Sequence, residues 1–232
     1  MSRLLRTIDL GRRPYGEVLE LQRELARRRA TGNIPDDVLL LVEHPSVFTL
    51  GRGTRAESLP LPVEELRNRG IEVHEVERGG DVTYHGPGQL VGYPILDLQG
   101  HRPDLHWYLR QIEGAVISAL AELRVVADRN PGFTGVWTEG KKIASIGIHV
   151  RHWVTFHGFA LNVTTNLDPF GLIVPCGIHG VEMTSVAQEL GTSPGAFADL
   201  DTRARSEVVA AVGRQFDLTP EFMSYEDLLQ TA

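Results

Sequence analysis

Across 232 residues there is one cysteine, Cys176, so no disulfide can close within the chain. That usage fits a reducing compartment and excludes a small secreted disulfide scaffold. Long apolar runs are missing too: none approaches the roughly 18 residues that a membrane-spanning helix needs. The opening stretch, MSRLLRTIDLGRRPYG, lacks the apolar core of a secretory signal. A cytoplasmic protein with no membrane partner is the expectation. Basic residues are outnumbered, 23 Lys and Arg against 30 Asp and Glu, for a net charge of −7. Nucleic acid is therefore disfavoured as a main partner, because phosphate binding asks for a basic face. No repeat, low-complexity tract or linker interrupts the chain, and residues 1–232 are expected to form a single domain. The histidines show no H-x-x-x-H spacing and there is no paired cysteine, so no metal is expected.

What is present reads as follows. Residues 17–29 carry Val18, Leu21 and Leu25 at helical spacing. The continuous apolar run 38–42 suggests a buried strand, and 47–50 a second one. Residues 71–76 and 82–98 look extended, the latter broken by HGPGQ. A long helix is predicted from Asp104, just after Pro103, with Leu105, Leu109, Ile112, Val116, Leu120 and Leu123 on one face. Strands are predicted over 135–138, 142–150 and 154–163, and helices over 202–216 and 220–229. Strands cluster between long helices instead of alternating with them, which points to an α+β fold with a mixed or antiparallel sheet flanked by helices.

Three stretches carry possible chemistry. RGGDVTYHGPGQ, at 78–89, is denser in glycine and proline than a hairpin turn requires. It is either a tight bulged loop or a place where backbone closes on a ligand. GVWTEGKK, at 135–142, nearly matches a phosphate-binding loop, but Lys142 stands where Ser or Thr must hold magnesium. The residues after it alternate like a strand, so a nucleoside-triphosphatase is excluded. Strict alternation places Lys142 with Ala144, Ile146 and Ile148, and Lys141 on the opposite face with Ile143, Ser145 and Gly147. Lys142 is then either a snorkelling edge residue or an embedded charge. Finally, VPCGIHG at 174–180 surrounds the lone Cys176. It is either a small core residue or a nucleophile, with His85, His149 and His179 as possible bases.

Taken in order, RGGDVTYHGPGQLVGYPILDL, KIASIG, HGFALNV and VPCG resemble the lipoyl(octanoyl) transferases, also called lipoate-protein ligase B. The likeness runs from about 39 to 186 and includes HPSVFTLGRG. It implies the fold of the biotin and lipoate protein ligase catalytic domains. It also implies transfer of an octanoyl group from octanoyl-acyl carrier protein to a lysine of a lipoyl domain, in lipoate biosynthesis, with no cofactor. The acceptors would be lipoyl domains of 2-oxoacid dehydrogenase complexes and the glycine cleavage H protein.

Carried across, the acyl-accepting residue falls on Cys176 and its activating partner on Lys142. Substrate-binding positions fall on Arg78, Gly79, Gly80, Asp81, Val82, Thr83, Tyr84, His85, Ser145, Ile146, Gly147, Gly158, Phe159 and Ala160. A free thiol titrates near 8.5, and a lysine ammonium beside it stabilises the thiolate. Two rival classes are an ATP-dependent ligase of the same fold and a non-catalytic module that binds an acyl carrier. The first needs no cysteine; the second would keep Cys176 as a structural residue.

Overall fold

The structure is a computed structural model that describes residues 3–174 and 180–230, the side chains of 229 and 230 excepted. In chain order the strands and α-helices are β1 (Arg3–Arg12), α1 (Tyr15–Ala30), β2 (Asp37–Glu43), β3 (Val47–Leu50), α2 (Val63–Asn68), β4 (Glu72–Glu75), β5 (Thr83–His85) and β6 (Gln89–Ile95). Then come α3 (Leu105–Glu122), β7 (Asp128–Asn130), β8 (Phe133–Thr138), β9 (Lys141–Arg151) and β10 (Val154–Asn162). The chain ends with α4 (Val186–Leu190), α5 (Phe197–Phe216), β11 (Leu218–Phe222) and α6 (Tyr225–Gln230).

Among the described residues, eight strands form a main sheet in the order β11-β1-β2-β6-β10-β9-β8-β7, and β4-β3-β5 form a small one. In the main sheet β1 runs parallel to β11 and β2, and the remaining pairs are antiparallel. The sheet is mixed and helices flank it, the α+β arrangement expected.

Burial explains the local choices. In β2, Leu39 and Leu41 join the cluster under α3 and α5, while Val38, Leu40 and Val42 join the cluster under α1. A strand covered on both faces reads as an unbroken apolar run, as this one does. Helix α3 starts where Asp104 accepts a hydrogen bond from the Trp107 N–H at 3.0 Å. It buries Tyr108, Ile112, Val116 and Leu120, whereas Leu105 in its first turn faces outward and is 44% exposed.

The C-terminal prediction needs correction. Residues 220–229 are not one helix: β11 pairs with β1 from Arg3↔Leu218 to Thr7↔Phe222, and only then does α6 begin. Asp217, at φ 53°, ends α5 in the left-handed region and turns the chain back. Pro220 is tolerated because β11 is an edge strand, where an absent N–H breaks no central ladder. Strand β1 itself escapes the sequence reading, because Leu5, Thr7 and Ile8 are all buried and no clean alternation survives. No helix among the described residues is long and apolar enough to cross a membrane.

Candidate active site

The β8–β9 hairpin turns at Glu139 and Gly140, both at positive φ (47° and 80°), as a two-residue turn requires. GVWTEGKK is therefore strand, turn and strand. Its register carries the first feature of the candidate site. Val136 pairs with Ala144 but Trp137 pairs with Lys142, so β9 holds one extra residue between them. Such a β-bulge reverses the alternation on one side of it. Val136 and Ala144 both join the apolar cluster under α3 and α5. Trp137 and Lys142 must then face the other way, with Ser145 and Gly147.

Strict alternation therefore mis-assigns Lys142, and the snorkelling alternative fails as well. Lys142 is 1% exposed, and its Nζ lies 5.4 Å from the centroid of the Trp137 ring, a cation–π contact. The Lys142 chain passes over Gly135, where a Cβ would come within 2.6 Å of Lys142 Cε. A glycine is needed there for close approach and for its φ of 134°. Lys141, by contrast, has a 38% exposed side chain whose Nζ is 3.7 Å from Glu189 Oε1.

Cys176 and His179 lie outside the described residues, but the chain on each side is anchored. Before the gap, the Val174 N–H donates to the Ser58 carbonyl at 2.9 Å, and Ser58 Oγ donates to Asp81 Oδ2 at 2.6 Å. After the gap, Met183 forms a parallel bridge with Lys142. The Lys142 N–H donates to the Glu182 carbonyl at 2.8 Å, and the Thr184 N–H to the Lys142 carbonyl at 3.0 Å. Both flanks thus reach residues of the singled-out motifs, Asp81 on one side and Lys142 on the other.

Between the small sheet, α1 and the middle of β9 and β10 lies a narrow cavity of about 40 Å³. As it stands it has room for roughly three waters. Of the sequence-predicted residues, Arg78, Gly80, Asp81, Thr83, His85, Ser145, Ile146, Gly147, Gly158, Phe159 and Ala160 line it. Ser145 pairs with Ala160 and Gly147 with Gly158 across β9 and β10, which brings KIASIG and HGFALNV side by side. At Gly147 a Cβ would lie 3.0 Å from both Arg78 Cδ and the Gly79 carbonyl oxygen, so glycine lets the RGGD segment close against the strand.

Gly79, Val82 and Tyr84 do not line the cavity. The Gly79 N–H donates to the Ile148 carbonyl at 2.9 Å, stitching the loop to β9. Val82 and Tyr84 turn into a small apolar cluster with Phe48, Leu66 and Phe170. Lys142 is not in the lining either; it stands three residues before Ser145 on the same face, about 10 Å along the strand.

Arg78 is 7% exposed and donates to the Thr49 and Asp81 carbonyls at 2.6 and 2.7 Å, holding the loop closed. Gln89 Nε2 donates to the Tyr84 carbonyl and to Asn162 Oδ1, which leaves its Oε1 to accept from His85 Nδ1 at 2.8 Å. Asn162 Nδ2 in turn donates to the Thr184 carbonyl, next to the Lys142 bridge. One chain of hydrogen bonds therefore links the HGPGQ loop to the segment that follows Cys176. Burial pushes the His85 imidazole down to about 3, so it is neutral at pH 7 with its proton fixed on Nδ1. His149 lies outside the cavity, its Nδ1 donating to the Glu77 carbonyl at 3.0 Å.

Sequence reasoning missed four lining residues: Tyr15, Val91, Tyr93 and His157. Val91 and Tyr93 alternate along β6 directly after HGPGQ, and His157 immediately precedes GFA, so a strand-by-strand reading had a signal for those three. Tyr15 comes from the start of α1 and had none.

The sequence profile of the lipoyl protein ligase A/B catalytic domain matches residues 14–210. An octanoyltransferase of Nostoc sp. is 48% identical over 208 residues, covering 90% of each chain. Another, of Geotalea uraniireducens, is 46% identical over 221 residues, covering 95% of each. Among solved structures, a lipoate-protein ligase A bound with ATP superimposes with a TM-score of 0.71 at 16% identity, covering 100% of this chain and 93% of that one. A bi-partite lipoate protein ligase from Thermoplasma acidophilum gives 0.68 at 16% identity, covering 99% and 91%. The biotin protein ligase from Leishmania major gives 0.51 at 15% identity, covering 91% and 80%. These structural likenesses concern the fold; with the profile and the sequence relatives beside them, the chain belongs to the lipoyl protein ligase A/B catalytic domain family.

Proposed function

We propose that this chain is an octanoyltransferase that works through a cysteine acyl-thioester. The donor is octanoyl-acyl carrier protein. The acceptor is a lysine of a lipoyl domain, in 2-oxoacid dehydrogenase complexes or the glycine cleavage H protein, and the reaction belongs to lipoate biosynthesis in the cytoplasm. In the first half-reaction the Cys176 thiolate attacks the thioester carbonyl, a new C–S bond forms, and the carrier thiol leaves and takes up a proton. In the second, the acceptor amine attacks the enzyme thioester, the C–N bond forms, the C–S bond breaks, and the amine loses its proton. A thioester already carries the activation an amide needs, so no nucleotide enters.

The observation that carries the reading is the placement of Lys142. The bulge turns it out of the apolar core onto the face of Ser145 and Gly147, and its backbone is bridged to Met183, seven residues after Cys176. An ammonium brought near a thiol lowers the thiol pKa, and the neutral lysine can take the acceptor's proton. The cavity supports the acyl assignment: Val91, Phe159, Ala160 and Ile146 supply apolar wall, and the glycines bring backbone close. At about 40 Å³ its walls must part for an octanoyl chain to enter.

The test uses the single thiol. Incubation with octanoyl-acyl carrier protein and no acceptor is expected to add one octanoyl group, removable by hydroxylamine and mapped to the 174–180 peptide. Turnover without ATP and without that adduct contradicts the role of Cys176; turnover only with ATP identifies a ligase.

A further inference from the structure

Behind the narrow cavity lies a second and larger one, about 790 Å³, with Arg23, Arg27, Arg52 and Arg151 in its walls. The two stand back to back. His157 lines the narrow cavity, while Glu77 and Phe156 line the larger one. His157 Nε2 is 3.8 Å from Glu77 Oε2, and its ring stacks on Phe156 with centroids 5.1 Å apart. His149 braces both from the far side, donating to the Glu77 carbonyl at 3.0 Å with its ring 4.8 Å from Phe156. At this point the partition is two side chains thick, His157 on one side and Glu77 with Phe156 on the other.

His157 is held there against its own backbone preference. It sits in β10 at φ 57°, a conformation that residues other than glycine keep only where the surroundings over-determine it. The β6–β10 ladder begins only at Phe159↔Gly92, and the His157 N–H donates instead to Gln22 Oε1 at 2.8 Å. The side chain is 1% exposed and its Nε2 has no hydrogen-bond partner among the described residues. Nothing in the two half-reactions uses this imidazole. Burial pushes its pKa well below the usual histidine range against the pull of Glu77, so the ring is uncharged at pH 7. An uncharged ring can terminate an acyl pocket without confronting the hydrocarbon with a buried ion.

We infer that His157, backed by Glu77, is the end wall of the acyl pocket and sets the longest acyl chain the enzyme accepts. The inference rests on the octanoyltransferase reading and adds its specificity residue. A chain longer than the pocket must push the imidazole off Glu77 and enter the charged cleft, where hydrocarbon meets arginine and glutamate. Cavity size is the usual basis of methylene discrimination, worth about 10- to 200-fold for each misfit methylene.

The experiment compares kcat/KM for octanoyl, decanoyl and dodecanoyl carrier protein in the wild type, in His157→Gly and in Glu77→Ala. Glycine suits the positive φ, so His157→Gly removes the wall without asking another side chain to hold that backbone. The dodecanoyl-to-octanoyl ratio is expected to rise by about tenfold or more in His157→Gly, and by less, in the same direction, in Glu77→Ala. An unchanged ratio in a cooperatively melting His157→Gly overturns the inference, as does an equal loss at every chain length. Should His157→Gly fail to fold, Glu77→Ala decides: a rise supports the wall and an unchanged ratio removes it. Absence of octanoyl transfer by the wild type defeats the underlying reading instead, so the two failures are told apart.

Discussion

Toward α3 and α5, the main sheet presents Leu39, Leu41, Ala144, Phe159 and Leu161 to Ile112, Val116, Val208 and Val212, and the one buried charge of α3, Glu113, is held by Arg110, Arg129 and the Gly135 N–H. Toward α1 the same strands present Val38, Leu40, Val91 and Ala160, yet this side also buries Gln22, His44 and His157. Burying a polar group costs stability unless a partner compensates: Glu113 has two arginines, whereas Gln22 Nε2 and His157 Nε2 on the α1 side, like the Tyr108 hydroxyl on the α3 side, have no hydrogen-bond partner among the described residues. The cavity opens on the α1 side, beside Tyr15 and Tyr93. Lys142 belongs to that side only because of the bulge, and without the extra residue it would point into hydrocarbon. The contrast teaches where to look: the proposed site lies on the face that buries neutral imidazoles and an amide, not on the one that packs aliphatic side chains around a single ion-paired carboxylate.

The largest expected difference between the faces is in activity. Lys142→Met replaces an ammonium with a side chain of similar length and is expected to lower kcat by about 10²- to 10⁴-fold, read by transfer assays on protein with an unchanged circular dichroism spectrum. Lys141→Met, altering a half-exposed neighbour, is expected to leave kcat close to that of the wild type. Equal losses in the two variants would erase the distinction between the two lysines.

Next in size is a stability effect without a functional one. Leu120, on the buried face of α3, is fully buried, and Leu120→Ala is expected to cost about 2–5 kcal/mol in denaturant unfolding, with kcat per folded molecule unchanged. A large fall in kcat there would mean that the apolar face is coupled to the site.

The smallest effect follows from the buried imidazoles. Burial pushes His44 down to about 4 and His85 to about 3, below the ordinary value near 6.5 that each has in the unfolded chain. Below 6.5 the unfolded chain takes up protons that the folded one refuses. Their stabilisation is therefore fully present above pH 6.5 and is lost as pH falls toward 4 and then 3. His44→Gln is expected to flatten the fall in unfolding free energy between pH 6.5 and 4, by up to about 1.4 kcal/mol per pH unit. A slope identical to that of the wild type would show that His44 is not buried as a neutral group.

How far the sequence foretold all this depends on the kind of signal. β2 and α3 were legible because a doubly covered strand and an amphipathic helix each leave a periodic trace over many residues. The 220–229 segment was not: Pro220 and Leu218 form a strand only because β1, more than two hundred residues earlier, offers an edge. Eleven residues of the RGGDVTYH, SIG and GFA motifs, singled out by the family resemblance, line one cavity. Val82 and Tyr84 sit in the same motif but alternate away from the cavity into a core cluster, so the motif marked the segment and the strand geometry chose within it. The facing of Lys142 was misread for the same physical reason in reverse. A bulge is one residue of register, and alternation counted from the sequence alone has no means of detecting it.

The central claim is that Lys142 stabilises the thiolate of Cys176. Alkylation of the lone thiol by iodoacetamide across pH measures it directly, since no second cysteine contributes. The wild type is expected to show an alkylation pKa below the free-thiol value near 8.5, with Lys142→Met raising it, each unit amounting to ~1.4 kcal/mol of lost stabilisation, and Lys141→Met leaving it in place. A folded Lys142→Met whose profile coincides with that of the wild type contradicts the account.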